Sequence, residues 1–316
     1  MKIRQILTPS ATMWDALRNG GRFVAQQSKL RCATEQLLLR NKSPQPPLKP
    51  EKPSSPLCAT VSFAELASAN IVGYNTVTIN QEWTILAVNF AKVDGNNLTI
   101  QEALPYSEGM TKGKTTTGDQ VQVQNTSGGY DIYYLSDGNF TAKGQTKYYP
   151  ERDGKWFKGN ATSPATDQLA PGQAFWYGAK GYQTPFSLTV AGSILTSLSK
   201  SIVVNQAWTH VANPYPVPLA LNDGFAFVEG MTKGKTTTGD QIQIPNATGG
   251  YDIYYLSDGN FTAKGQTKYY PERDGKWFKG NATTPTTDSI PVGTGAWYGR
   301  KGDSDFTVTI STPISL

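Results

Sequence analysis

The chain has 316 residues and a formal net charge of +5, and it is long enough for two domains of ordinary size. Residues 1–52 carry ten Lys and Arg against three Asp and Glu, whereas the remainder carries 19 against 21. Nucleic-acid binding needs a basic face that neutralises phosphates, so the near-neutral remainder excludes that function for the folded part. No apolar run approaches the ~18 residues of a membrane-spanning helix.

The N-terminal segment, residues 1–64, is predicted to be a basic tail that is partly helical or disordered. Residues 12–40 have apolar side chains every seven positions, which is typical of a basic amphipathic helix. The proline-rich stretch 43–56 indicates an extended linker. Ser62 and Ala64 fit the end of a secretory signal, but the preceding hydrophobic segment is missing, so an intact signal peptide is not evident. A disordered leader and a transit peptide are the alternatives.

An internal duplication dominates the rest of the chain. Residues 108–162 recur at 229–283 with five of 55 positions changed, at an offset of 121 residues. Solenoid units usually repeat every 20–50 residues, so this offset indicates duplication of a whole domain. We predict copy 1 over 65–192 and copy 2 over 193–316. Both cysteines precede residue 65, so each domain is expected to be held by its core rather than by disulfides.

Both copies have the residue patterns of β-strands. Alternating or β-rich segments lie at 71–79, 120–124, 130–135, 186–190 and 306–310. Turn signals between strands are Asp94-Gly95, Gly128-Gly129, Asp137-Gly138, Asp153-Gly154 and Pro171-Gly172. Short strands at this spacing, without a helix-length pattern, predict an all-β fold with two tandem β-sandwich or small β-barrel domains.

A hairpin is predicted within residues 147–158, KYYPERDGKWFK, with its turn from Pro150 to Gly154. Neighbouring strand residues point to opposite faces, so one aromatic of each adjacent pair must face away from the core. Tyr133 raises the same question, because it lies off the Tyr130–Ile132–Tyr134 face. The aromatics predicted to form a ligand-binding platform are Tyr133, Tyr149, Trp156, Tyr254, Tyr270 and Trp277. Such rings suit the C–H faces of sugars, and cross-strand packing is the alternative.

Other motifs give weaker signals. The loop GMTKGKTTTGD, 109–119, has three residues between its glycines where a phosphate-binding loop needs four. His210 is the only histidine, copy 1 has Ile85 in its place, and a lone imidazole without nearby cysteine does not make a usual zinc site. Asp137-Gly138-Asn139 could hold calcium but lacks EF-hand spacing. No metal or cofactor is predicted.

Carboxylates that recur in both copies keep glycoside hydrolysis open, since that reaction needs only two of them at a suitable separation. In copy 1 they are Glu108, Asp119, Asp131, Asp137, Glu151, Asp153 and Asp167. In copy 2 they are Glu229, Asp240, Asp252, Asp258, Glu272, Asp274 and Asp288. Roles in turns explain most of these residues, and no catalytic residue is predicted.

Residues 67–90, ASANIVGYNTVTINQEWTILAVNF, together with GQAFWYGAK (172–180) and GTGAWYGRK (293–301), resemble uncharacterised bacterial secreted tandem-repeat β proteins. These proteins combine a SANIVGY-like strand with repeated W-T and G-x-x-W-Y units. The resemblance covers about 65–316 and implies export and a β-rich domain, with no activity or site residues to carry over. Copy 2 departs at 196–204, where the glycine and tyrosine of the first strand are lost, which leaves the equivalence of the two first strands open.

The sequence therefore predicts a secreted or cell-surface binding module, non-enzymatic, that recognises a polysaccharide through the hairpin aromatics. Two equal modules would raise the apparent affinity for a repeating polymer. A structural protein of a layer, fibre or appendage, self-associating through edge strands, is the alternative. A glycosidase is the third. No nucleic-acid partner or transmembrane segment is predicted.

Overall fold

The computed structural model describes residues 72–314. The predictions for the basic tail and its proline-rich linker lie outside the described residues. Within 72–314 the helices are two single turns, α1 (Ile100–Ala103) and α2 (Leu221–Gly224), and the regular structure is otherwise strand. The all-β prediction is confirmed.

Copy 1 is built on a five-stranded antiparallel sheet. Within the described residues, the nine strands of copy 1 are β1 (Val72–Ile79), β2 (Trp83–Ala87), β3 (Leu98–Thr99), β4 (Gln120–Gln124), β5 (Tyr130–Ala142), β6 (Gln145–Lys158), β7 (Gln168–Leu169), β8 (Ala174–Gly178) and β9 (Phe186–Ser193). The sheet order is β2-β8-β4-β5-β6, while β1 pairs with β9 as a separate ribbon and β3 pairs with β7. Because the first and last strands pair with each other, the ribbon brings the two ends of the copy together.

Copy 2 repeats this arrangement. Its strands are β10 (Ser199–Val204), β11 (Trp208–Val211), β12 (Gln241–Pro245), β13 (Tyr251–Ala263), β14 (Gln266–Lys279), β15 (Ala296–Gly299) and β16 (Phe306–Ser311). The sheet order is β11-β15-β12-β13-β14, and β10 pairs with β16. The two first strands, β1 and β10, are therefore equivalent despite the sequence departure at 196–204.

Each copy has a hydrophobic core of its own. In copy 1, Val121 and Leu135 of the sheet and Leu188 of the ribbon belong to one buried cluster. In copy 2, Ile242 and Val308 belong to a second cluster. Full burial of such side chains stabilises the fold by about 1.5–3 kcal/mol each, so these cores can hold both copies without disulfides.

The longest hairpin of copy 1 joins β5 to β6 through Lys143 and Gly144, whose φ angles of 49° and 76° are those of a tight hairpin turn. The predicted turn from Pro150 to Gly154 is therefore wrong, because β6 runs straight through it. Asp137 lies opposite Asp153 where the register shifts, so the two Asp-Gly pairs mark β-bulges rather than turns. Glycine with positive φ serves both structures, and its pattern does not distinguish them.

Each five-stranded sheet has a core face, packed on its ribbon, and an opposite outer face. Tyr130, Ile132 and Tyr134 share one face, as predicted, but it is the outer face, and Ile132 is 40% exposed. Tyr133 points the other way, into the core. The alternation of side chains was predicted correctly. The assignment of this face to the core was wrong, because packing by distant segments decides which face is covered.

The two copies meet along an approximately symmetric junction. The Ala87 amide of copy 1 donates to Gly293 O of copy 2 (2.9 Å), and the Ala212 amide of copy 2 donates to Gly172 O of copy 1 (3.1 Å). Sequence alignment of the copies makes these two bonds equivalents of each other. The same surface patch is therefore used on both sides, as in a two-fold dimer.

Candidate functional site

The six aromatics predicted to form a platform lie mostly in the core. Four of them expose 2% or less of their surface: Tyr133, Trp156, Tyr254 and Trp277. The other two are half-buried: Tyr149 and Tyr270. The prediction that the first four are displayed to a ligand is wrong. The alternation argument required one ring of each adjacent pair to leave the core, but at the Trp-Phe pair that ring is Phe157, which is itself buried.

The two hairpin tryptophans are buried and hydrogen-bonded. The Trp156 indole donates to Leu104 O at 2.6 Å and meets the Tyr177 ring edge-on at 6.4 Å. The Trp277 indole donates to Phe225 O, also at 2.6 Å. A buried indole N–H needs such an acceptor. On the opposite side of β6, the Phe157 ring is covered by the Arg152 guanidinium, 3.7 Å from the ring centroid.

The remaining hairpin tyrosines are explained by packing across the strands. Tyr148 is 56% exposed, but its ring covers Gly138, where an added Cβ would lie 2.4 Å from the ring. Tyr149 meets Phe140 edge-on at 6.4 Å. These contacts stabilise the bulged hairpin. Tyr149 and Phe140 also line an open hollow of about 390 Å³, which of the six predicted rings contains Tyr149 alone.

Among the repeated carboxylates, Asp119 is the most perturbed. It is completely buried and accepts hydrogen bonds from the Tyr177 hydroxyl (2.5 Å), the Lys180 amide (2.7 Å) and the Thr111 amide (3.1 Å). Burial raises the pKa of Asp119 to about 6, although these donors oppose the shift. The same three bonds occur at Asp240. With no exposed surface, each carboxyl serves as an internal anchor for the 109–119 loop or its counterpart.

Three other repeated carboxylates of copy 1 are held in local ion pairs with lysines. Lys158 bridges Asp131 (2.7 Å) and Asp167 (3.5 Å), and Lys112 pairs with Asp153 at 2.9 Å. Within residues 72–314, no group of three or more His, Cys, Asp or Glu side chains is placed to hold a metal ion. These pairings hold the carboxylates at separate places in the fold and do not gather them in one cleft.

A row of four tryptophans crosses the outer faces of both copies, and we call it the tryptophan row. Trp83 meets Trp176 edge-on at 6.3 Å, Trp176 meets Trp297 at 6.2 Å, and Trp297 meets Trp208 at 6.2 Å. The two central rings pack on a small apolar cluster at the junction. Trp208 is 39% exposed and the other three are half-buried. The row is therefore continuous across the junction, and Trp208 is its most exposed member.

Glycines fix the outer rings of the row. Trp83 is paired across the sheet with Gly178, and a Cβ added there would lie 2.7 Å from the ring. Trp208 is paired with Gly299, where the corresponding distance is 2.5 Å. Each indole thus lies directly on backbone that only glycine leaves uncovered. The W-T and W-Y-G motifs are the two halves of this contact.

His210 lies at the centre of the row. Its ring centroid is 4.0 Å from that of Trp297, 5.9 Å from Trp176 and 5.8 Å from Tyr130, and the side chain is 4% exposed. Neither ring nitrogen has a hydrogen-bond partner among the described residues. Burial lowers the pKa of His210 to about 4, so the imidazole is neutral at pH 7.

A hydrogen-bonded amide contact joins the copies beside His210. The Gln124 amide donates to Gln206 Oε1 (2.6 Å) and Trp208 O (2.7 Å), while its Oε1 accepts from the His210 backbone amide (2.9 Å). A junction cleft of about 330 Å³ lies against these residues. Because its amides bond to one another, the wall of the cleft is part of the interface between the two copies.

Copy 2 has an open hollow on its outer face, which we call the aromatic pocket. It has a volume of about 320 Å³ and is lined by Trp208, Gln243, Tyr251 and Trp297. Gln243 Nε2 donates to Gln241 Oε1 at 3.2 Å. The lining combines three aromatic rings with one amide, and no charged side chain from residues 72–314 belongs to it. Such a surface suits a ligand that is apolar on its faces and hydroxylated at its rim.

In the sequence the outer-face tryptophans were noted only as repeated W-T and G-x-x-W-Y motifs, with no role in binding. The signal that could have found them is the spacing W-T in one edge strand and W-Y-G in its neighbour. One tryptophan–glycine pair per copy, on neighbouring strands, indicates a ring lying on backbone. The hairpin was more conspicuous because its aromatics are adjacent in sequence.

Comparison of the chain with protein-family models, with curated proteins and with solved structures finds no match. In the part of the chain that the structure describes, no helix has the length and apolar character to cross a membrane.

Proposed function

We propose that this protein binds carbohydrate through its outer face, with the tryptophan row as the binding surface. The role is one of recognition without catalysis. The observation that carries the proposal is the unbroken line of four indoles across both copies, ending in the 39% exposed Trp208. This replaces the hairpin aromatics with a different surface of the same two domains.

The chemistry of the surface supports a sugar ligand. Indole and phenol rings pack on the axial C–H faces of sugar rings, and their polar edges meet hydroxyl groups. Gln122 and Gln243 lie beside the central tryptophans, paired across the sheet with Trp176 and Trp297 respectively. Their amides can both donate to and accept from hydroxyls. A surface of rings and amides favours a hydroxylated ligand over an ionic one.

The rings are also held in place before any ligand arrives. They sit on strands, lie over Gly178 and Gly299, and contact each other edge-on. A side chain that is already ordered loses little conformational entropy on binding, and each rotamer-rich side chain immobilised on binding costs about 0.5–1.5 kcal/mol. Preorganisation therefore favours binding by this row over binding by free surface side chains.

Self-association is the second candidate, because the same outer face exposes Ile132 (40%) and Ile253 (39%) as apolar surface suited to protein contact. The outer edge strands argue against strand addition as its route. β6 and β14 are interrupted by bulges and carry lysines such as Lys155 and Lys276, both of which protect an edge. Assembly would have to use the outer face itself.

We also propose that the protein is located outside the cell. The support for this location is the resemblance of residues 65–316 to exported bacterial proteins and the suitability of the outer face for polysaccharide. Fractionation of producing cells, with the chain followed by antibody, measures it directly. Recovery of the protein only inside the cell contradicts this part.

The function is tested by electrophoresis of the full chain through gels that contain cellulose derivatives, mannan, xylan, β-1,3-glucan or soluble chitin. Binding to any of these retards migration relative to a gel without polysaccharide. A Trp297→Ala variant, which interrupts the row, is expected to migrate freely. Unretarded migration of the wild type in every gel overturns the proposal, and filaments in electron micrographs support the structural alternative instead.

A further inference from the structure

We propose that, within residues 72–314, copy 2 carries the one open sugar subsite and that it accepts an uncharged sugar unit. This inference rests on the proposed function and makes it more specific. The subsite is the aromatic pocket of Trp208, Gln243, Tyr251 and Trp297. The corresponding residues of copy 1 are Trp83, Gln122, Tyr130 and Trp176, and three contacts close that surface.

The first contact covers the outer tryptophan of copy 1. Lys180 Nζ lies 4.5 Å from the Trp83 ring centroid, and Glu82 pairs with the same ammonium group at 3.6 Å. Copy 2 has Ala207 where copy 1 has Glu82, so that anchor is missing. Within the described residues no Lys or Arg lies over the Trp208 ring, and that ring is 39% exposed. A ligand can stack on Trp208 without displacing a cation.

The second contact covers the tyrosine of copy 1. Tyr130 is half-buried, and its ring packs against His210 of copy 2, with the centroids 5.8 Å apart. Its equivalent, Tyr251, is 39% exposed. Copy 1 has Ile85 where copy 2 has His210, and Ile85 is buried in the junction. The junction is therefore symmetric in backbone and asymmetric in the side chains that reach the outer face.

The third contact ties down the end of β4. Gln124 bonds to Gln206, to Trp208 O and to the His210 amide, and so brings this end of copy 1 against β11 of copy 2. The equivalent residue of copy 2 is Pro245, which has neither a side-chain amide nor a backbone N–H. Copy 2 therefore makes no reciprocal contact of this kind, and its pocket stays open.

The lining decides the ligand class. Aromatic faces at Trp208, Tyr251 and Trp297 match the C–H faces of a sugar ring, and the Gln243 amide matches its hydroxyls. In the described part of the chain, no Lys or Arg lines the pocket to pair with a carboxylate or sulfate, and no Asp or Glu lines it to pair with an amine. Burying an unpaired charge is unfavourable, so an uncharged sugar is preferred over a uronic acid or an amino sugar.

The test is titration calorimetry of the full chain with cellohexaose, mannohexaose, xylohexaose and chitohexaose, and with hexagalacturonic acid as the charged probe. We expect one oligosaccharide bound per chain. Trp208→Ala is expected to weaken binding about tenfold or more, as for an aromatic anchor at a binding surface. Trp83→Ala, the matched control, is expected to change it by less than about twofold. Circular dichroism checks that both variants fold.

Tyr251→Phe and Tyr251→Ala give a second readout if Trp208→Ala unfolds the protein. Retained affinity in the first and a loss in the second support the pocket. Two equivalent oligosaccharides per chain, or equal losses from the Trp83 and Trp208 variants, overturn the inference while leaving carbohydrate binding in place. A preference for hexagalacturonic acid overturns the uncharged class. Absence of binding by every probe counts against the proposed function itself.

Discussion

The cores of the two copies are nearly identical, whereas their outer faces differ. The Trp156 indole reaches its acceptor at the same 2.6 Å as the Trp277 indole, and the buried Asp119 and Asp240 each accept the same three hydrogen bonds. On the outer face, by contrast, one tryptophan is capped by a lysine and the other is not. Conservation of the fold within the chain therefore did not conserve the surface.

Three positions account for most of this difference. They are Glu82 against Ala207, Ile85 against His210, and Gln124 against Pro245. Only the last lies within the nearly identical 55-residue block. The flanking strands therefore contribute most to deciding which aromatic surface is free, although they appear less informative in an alignment of the copies. Variants at matched positions can test each part of this difference.

The largest expected effect concerns the similarity of the two cores. Trp156→Ala and Trp277→Ala are each expected to lower the free energy of unfolding by about 3–5 kcal/mol, because each removes a large buried side chain and leaves a carbonyl unpaired. Urea unfolding followed by circular dichroism measures it. Leu198→Ala, at an 81% exposed position, is the control and is expected to stay within about 0.5 kcal/mol. Clearly unequal losses would show that the cores are not equivalent.

The second prediction concerns pH. The pKa of His210 is lowered to about 4 in the folded chain, from 6.5, so the unfolded chain binds its proton first as pH falls. His210 therefore costs stability progressively between pH 6.5 and pH 4, reaching about 3 kcal/mol at the acid end. His210→Ile, which restores the copy-1 residue, is expected to remove this term.

The measurement is the difference in unfolding free energy between wild type and His210→Ile at pH 7, 5.5 and 4. Taking the difference cancels the carboxylates, including Asp119, whose raised pKa changes stability in the opposite direction over much of this range. A difference that does not grow on acidification would falsify the assignment of the imidazole as a buried neutral group.

A smaller effect is expected at the amide contact of the junction. Gln124→Ala removes three hydrogen bonds between the copies and leaves the buried His210 amide without its acceptor, at a cost of about 1–3 kcal/mol. Gln122→Ala is the matched control, since its Nε2 bonds only to Gln120 in the same strand. Thermal unfolding of both variants compares them. Equal melting temperatures would remove Gln124 from the account of the asymmetry.

The smallest effect is expected at the lysine cap. Lys180→Ala removes the cation over Trp83 and is expected to cost about 0.5–1 kcal/mol. Lys301, at the same position in copy 2, has no aromatic ring beneath its charge among residues 72–314, so Lys301→Ala is expected to stay within about 0.5 kcal/mol. Acrylamide quenching of tryptophan fluorescence provides a second measurement, because it should rise in the first variant only. Identical behaviour of the two variants argues that both tryptophans are equally open.

Much of the fold could be predicted from local patterns. The alternation in 120–124 predicted a strand with Val121 inward, and Val121 is completely buried. The Asp-Gly pairs at 137–138 and 153–154 were predicted to be turns and are bulges, because a glycine with positive φ fits either structure. Four of the six residues of the hairpin site were wrong for a similar reason: adjacent aromatics show that two faces exist, and say nothing of what covers each.

The sequence by itself determined the duplication, the all-β class and which side chains share a face of each strand, because these follow from repetition and from a period of two along the backbone. Tertiary structure alone decided that Trp156 faces a core, that Trp83 lies under Lys180, and that Trp208 is open. Those outcomes depend on segments up to about 100 residues apart that meet only in the folded chain, where Lys180 covers the outer tryptophan of copy 1 and its twin in copy 2 stays exposed.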